Sequence, residues 1–171
     1  MNNLSNFRLK SLLVACLALG MLACSQGSDT TALVETVTMS PEAELAAFKE
    51  AIRAQYDMKE QAFRDNDPEP ILTQFYTQNA ISTDNEGKTK VGREALRPVY
   101  EEVIGSLVKI ESYNTFVNGD AGWDWVNFHV SFPPGVEMEP FTFKMLFLWE
   151  RIDGKWWSHG EMYVMGEFDI G

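Results

Sequence analysis

Leu45, Phe48, Ile52, Tyr56 and Phe63 fall near one face of a 3.6-residue period, and Glu44, Lys49, Arg53, Lys59 and Glu60 cover much of the rest. This predicts a long amphipathic helix over 40–65. Ser40-Pro41-Glu42 supplies its start: a capping hydroxyl, a proline at the first helical position and an acid in the first turn. Asp65-Asn66-Asp67-Pro68 breaks it. A short helix over 68–76 then carries Ile71, Leu72, Phe75 and Tyr76 inward. Residues 80–83 and 88–91 flank the polar turn Asp84-Asn85-Glu86-Gly87 and read as a hairpin. Gly92 opens a third helix over 93–105, with Pro98 expected to bend it or delay its start. Strand-like stretches follow at 107–118, 122–132, 140–151 and 155–165, separated by Asn118-Gly119-Asp120, Pro133-Pro134-Gly135 and Asp153-Gly154. Helices come first and strands last, so the fold class is α+β with an antiparallel sheet.

The start of the chain has a different pattern. Arg8 and Lys10 precede an unbroken apolar run from Leu12 to Ala23, then Cys24 and the polar Ser25-Gln26-Gly27-Ser28-Asp29. The run is shorter than the roughly 20 residues that span a bilayer, and has the layout of a secretory signal. Ala23-Cys24 resembles the cleavage box of a bacterial lipoprotein. This implies removal of 1–23, lipid on the Cys24 sulfur and a flexible tether over 24–39. The folded domain then covers 40–166 and a C-terminal tail 167–171. An ordinary signal peptide that leaves a free thiol is the alternative. By analogy with lipoprotein sorting, Ser25 after the cysteine favours the outer membrane, facing the periplasm.

The two cysteines, Cys16 and Cys24, both lie at or before the proposed cut, so the domain has no disulfide and rests on its core alone. The 171-residue chain has a net charge of −11, and loss of Arg8 and Lys10 makes it more negative. Such a surface argues against nucleic acid as a partner.

The chain resembles the SnoaL-like and ketosteroid-isomerase-like proteins of the nuclear transport factor 2-like superfamily. The resemblance rests on four pieces in order. They are Arg64-Asp65-Asn66-Asp67 before Ile71-Leu72-Thr73-Gln74-Phe75-Tyr76, Val91-Gly92-Arg93-Glu94-Ala95-Leu96 after the hairpin, Gly119-Asp120 leading a long strand, and Leu148-Trp149-Glu150-Arg151-Ile152-Asp153-Gly154-Lys155-Trp156 across the last turn. It implies a cone-shaped α+β barrel: a curved antiparallel sheet wrapped around the long helix, with a pocket at the open end and frequent dimerisation through the outer face of the sheet.

Within that frame the polar cluster Ser158-His159-Gly160-Glu161-Met162-Tyr163 is the best candidate for chemistry. The resemblance implies that Glu161 can face the cavity, where a desolvated carboxylate serves as a general base. His159, two residues away on a strand, is expected on the same face. Tyr56 is the candidate oxyanion donor. The plainer alternatives are a packed Tyr56 and a Glu161 at an edge in water. Phe48, Ile52, Tyr76, Tyr100, Phe128, Met145, Phe147, Met162 and Tyr163 are the expected pocket lining. Met138, Met165, Phe141 and Phe143 join them as an adaptable apolar set or as ordinary core.

On the strand from 122, Val126, Phe128, Val130 and Phe132 form an apolar face, and Trp123, Trp125, Asn127, His129 and Ser131 a mixed one. Trp123, Trp125 and His129 mark a candidate dimer interface, unless neighbours on the same sheet cover them. His129 and His159 lack metal-like spacing and a cysteine partner, so neither a metal nor another cofactor is expected. Three functions stay open: a lipid-anchored protein holding a small apolar or amphipathic ligand, an isomerase- or cyclase-type enzyme, and a dimeric interaction module.

Overall fold

A computed structural model describes residues 39–170. The proposed signal peptide, Cys24 and most of the tether lie outside the described residues.

Helix α1 spans Pro41–Asp65. Ser40 Oγ accepts the Ala43 N–H at 3.3 Å, which satisfies one of the amides that a helix start leaves unpaired. Asn66 ends the helix in the left-handed conformation (φ 54°) and gives its N–H back to the last turn. The buried stripe is Phe48, Ile52, Tyr56, Lys59 and Phe63, with Ala62 beside it. Lys59, expected on the polar side, therefore sits in the core. The spacing 52–56–59–63 puts it there, whatever its charge.

A π-helical turn over Ile71–Phe75 replaces most of the expected short helix and buries Ile71, Leu72 and Phe75. Strand β1 (Tyr76–Thr83) leads directly from it, and β2 (Thr89–Val91) completes the expected hairpin. Helix α2 runs Arg93–Val103. It starts ahead of Pro98, so the proline does not delay it. Strands β3 (Leu107–Asn118), β4 (Ala121–Ser131), β5 (Phe141–Ile152) and β6 (Lys155–Met165) follow. Asp153 and Gly154, with φ of 50° and 78°, form the tight turn between β5 and β6 that matches strand twist.

The six strands form one sheet in the order β2-β1-β6-β5-β4-β3. Its curvature against α1 agrees with the expected α+β class. One detail departs from an all-antiparallel sheet: β1 pairs with β6 in parallel. Strand β2, helix α2 and strands β3 to β5 lie between these two strands in sequence, which allows the long crossover that a parallel pair needs. Bulges interrupt β3 between Ser112 and Asn114, and β6 between Ser158 and Gly160. Such insertions bend a strand and reset which side chains face inward.

Along β4 the inner face is Gly122, Asp124, Val126, Phe128 and Val130, each paired with an inward residue of β5. Gly122 has no freedom to be larger. An added Cβ would stand 2.8 Å from both the Phe116 carbonyl oxygen and Cζ of Phe48. Phe48 packs in the space this leaves, with its ring centre 4.5 Å from that of Trp156. Phe48→Ala is expected to cost about 3–5 kcal/mol, because a fixed helix and a fixed strand cannot collapse onto the void. Equilibrium urea unfolding checks this; a loss below about 1 kcal/mol would mean that the Phe48 site is loosely packed.

Candidate functional site

A cavity of about 340 Å³ opens between the C-terminal half of α1, the inner face of α2 and the curved sheet. Its walls are apolar, with Phe63 from α1, Leu96 and Val99 from α2, and Phe128, Phe143 and Met145 from the sheet. Asp84, Lys88, Lys90 and Glu102 also border it. The volume lies within the range of small-molecule sites.

Of the three carboxyl groups that border the cavity, Asp84, Glu102 and Glu161, only Glu161 is buried, at 8% exposed. Oε1 accepts the Ser82 hydroxyl at 2.9 Å, and Oε2 accepts the Tyr76 hydroxyl. The Lys59 ammonium lies 3.7 Å from Oε2 and donates to the Tyr76 oxygen at 2.9 Å. The Tyr76 and Tyr100 oxygens are 2.5 Å apart. Lys59 is enclosed by aromatic rings, with Phe75, Tyr76 and Phe147 all within 5 Å of its nitrogen. Burial pulls the Lys59 ammonium down to about 8, while the charge of Glu161 pulls in the opposite direction. Burial, followed by the Glu161 charge, holds the Tyr76 and Tyr100 hydroxyls well above their ordinary value. Tyr163, in the cavity wall, is pushed up to about 12, first by burial.

The three expected catalytic residues are not gathered together. Glu161 faces the cavity. His159 does not: it is the extra residue of the β6 bulge, half exposed, 3.3 Å from Glu150 on the outside. A regular strand would align residues 159 and 161. The bulge instead aligns Ser158 with Glu161. Tyr56 is fully buried but outside the lining. Its hydroxyl donates to Asp124 Oδ2 at 2.9 Å, and Ser112 and Thr115 donate to the same carboxyl at 2.6 and 2.8 Å. Burial raises the Asp124 carboxyl, and these three donors hold it down. Burial and Asp124 push the Tyr56 hydroxyl far up, so its proton stays where it is.

Tyr100, Phe128, Met145 and Tyr163 line the cavity, whereas Tyr76 is fully buried behind it and is linked to it only through its bond to Glu161. Phe48, Ile52 and Phe147 belong to the packed core, away from the lining. Met162 points outward, 47% exposed, because it has the opposite parity to Glu161 and Tyr163. Met138 and Met165 are also exposed, whereas Phe141 and Phe143 line the wall. Lys59, Ser82 and Asp124 are the residues that the sequence pattern hid. Helical spacing from Tyr56 and Phe63 was the available signal for Lys59, and alternation with Val126 and Phe128 was the signal for Asp124.

On the outer face, Trp123 stacks on Phe116 with ring centres 5.6 Å apart. The chain beyond β6 returns to cover Trp125. Phe168 exchanges two backbone hydrogen bonds with the Asn127 side chain, at 2.7 and 2.9 Å, and stacks on Tyr113. His129 bridges Thr142 and Glu111. Among the described residues, no three His, Cys, Asp or Glu side chains are grouped to hold a metal.

No protein-family model and no curated protein matches the chain. Solved structures do share its fold. A ketosteroid isomerase-like protein from Erwinia carotovora atroseptica is 18% identical over 73% of this chain and 98% of its own, with a TM-score of 0.58. A nuclear transport factor 2-like protein of unknown function from Shewanella oneidensis is 15% identical over 68% and 98%, with a TM-score of 0.58. A domain of unknown function with a cystatin-like fold from Nostoc punctiforme is 20% identical over 72% and 80%, with a TM-score of 0.60. At these identities the likeness defines the architecture alone: the α+β fold of the nuclear transport factor 2-like and cystatin-like proteins.

The Lys59 site predicts a pH signature. Between about pH 8 and the ordinary lysine value of 10.5, the unfolded chain binds more protons at this residue than the folded one, so stability rises with pH. Above pH 10 the buried tyrosines keep protons that the unfolded chain loses, and stability falls. Lys155 is also lowered by burial, so the comparison that isolates Lys59 is with Lys59→Met. Urea midpoints measured from pH 7 upward are expected to climb past pH 8 in the wild type and to climb less in the variant; identical profiles would remove Lys59 as the cause.

Proposed function

We propose that the protein binds a small apolar or amphipathic molecule in the cavity between α1, α2 and the sheet. The observation that carries this reading is a largely apolar chamber of about 340 Å³ with one buried, anchored carboxylate in its wall. Burying an apolar ligand there supplies affinity, and the few polar groups supply orientation. A proton-transfer enzyme centred on Glu161 is the second reading, favoured by the exposure of that carboxylate to the cavity. Against it, both oxygens already accept protein hydroxyls, and Tyr56 and His159 are engaged elsewhere.

The layout from Arg8 to Cys24 supports a lipid-anchored form in the bacterial envelope, on the outer membrane and facing the periplasm. The half-covered aromatics Phe116 and Trp123, with Leu148 and Met162 exposed on neighbouring strands, support a homodimer through the outer face of the sheet.

Native mass spectrometry of protein purified without added ligand is expected to show a co-purified small molecule and a mass of two subunits. Val99→Phe, which fills the cavity from α2, is expected to lose the small molecule and keep the subunit count. A wild type that carries nothing and takes up no apolar probe would overturn the binding reading. Cys24→Ser is expected to move the protein from the membrane fraction to the soluble fraction; an unchanged distribution would count against the lipid.

A further inference from the structure

The direction of the hydrogen bonds around Glu161 determines what the cavity offers a ligand. Glu161, 3.7 Å from the Lys59 ammonium, is the acceptor in both of its hydrogen bonds. The bond between Tyr76 and Glu161 therefore uses the single proton of Tyr76. Lys59, a donor only, fills one lone pair of the Tyr76 oxygen at 2.9 Å. The contact of 2.5 Å between the Tyr76 and Tyr100 oxygens can then exist only if Tyr100 donates to Tyr76. This uses the single proton of Tyr100 as well. Ser82 is committed to Oε1 of Glu161, and Ser106, also in the lining, to the carbonyl of Val103. Tyr100, Ser82 and Ser106 thus face the cavity with their protons already used.

We propose that the cavity selects an apolar molecule whose buried end carries a hydrogen-bond donor, a hydroxyl or an amine, received by the lone pairs of Tyr100 and Glu161. A ligand with only an acceptor at that end meets oxygen lone pairs and leaves its own polar atom unpaired, the costly half of the hydrogen-bond asymmetry. Donors border the cavity elsewhere, at the Tyr163 hydroxyl and the Lys88 and Lys90 ammoniums, so the preference concerns the polar end seated against Tyr100 and Glu161. The proposal rests on the cavity-binding reading and adds to it the polarity of the ligand.

Naphthol and methoxynaphthalene separate the two ideas. They share a ring system and an oxygen, but only naphthol can donate. Isothermal titration of the full chain at neutral pH is expected to show naphthol binding about tenfold more tightly than its methyl ether. In Tyr100→Phe the preference for naphthol is expected to shrink, while binding of the ether, which reports an intact cavity, persists. Equal affinities in the wild type, or tighter binding of the ether, would overturn the donor preference and leave the binding reading in place. Failure of both probes to bind would overturn the binding reading and the preference with it. If Tyr100→Phe does not fold, the wild-type comparison decides alone.

Discussion

The ammonium of Lys59 has been taken entirely out of water, and much of the polar interior is arranged around that fact. Removing an ion from water costs several kcal/mol even after the surroundings relax, and one counter-charge in good geometry rarely offsets it alone. Here the compensation is distributed. Glu161 supplies the charge, Tyr76 an oxygen at 2.9 Å, and the rings of Phe75 and Phe147 their electron-rich faces. Each helper comes from a different part of the chain: the π-helical turn, β1, β5 and β6. The pair thus fastens the C-terminal half of α1 to three strands at once. Isolated hydrophobic contacts would hold these parts together with less geometric definition.

The same pair shapes the chemistry of the cavity. A lone buried carboxylate is reactive because nothing but solvent loss sets its proton affinity. Glu161 is held instead by two hydroxyl donors and an ammonium, an arrangement suited to a fixed dipole. Asp124 lies on the other side of Phe147, which pairs with both acids across the sheet, and has three hydroxyl donors. Two buried carboxylates thus differ in one respect that matters for function. Asp124 is sealed within protein, whereas Glu161 keeps one side open to a chamber.

Secondary structure was almost fully legible in the sequence because each element has its own cue. The 3.6-residue stripe and Ser40 cap define α1, alternation and turn residues define β3 to β6, and Asp153-Gly154 marks the last hairpin. Legibility ended where a charge occupied a core position. Lys59 satisfies the helical spacing, but a reading by polarity assigns it to the surface. It also ended at bulges. Alternation assigns His159 and Glu161 to one face, and one inserted residue in β6 reverses that assignment. Phe48 and Ile52 were correctly read as interior, but sequence alone does not separate packed interior from chamber wall. That boundary depends on where α2 stands above the sheet.

The two bulges explain why the polar interior has its present form. In β3 the extra residue is Tyr113, and it allows Ser112 and Thr115, three apart, both to reach Asp124. In β6 the extra residue is His159, which brings Ser158 and Glu161, also three apart, to the inner face. A regular strand would turn one member of each pair outward. The insertions that curve the sheet around α1 therefore also set which polar side chains enter the core. Straightening β6 would displace Glu161 from Lys59 and leave a buried cation alone, so the curvature of the sheet and the charge pair at its centre stabilise each other.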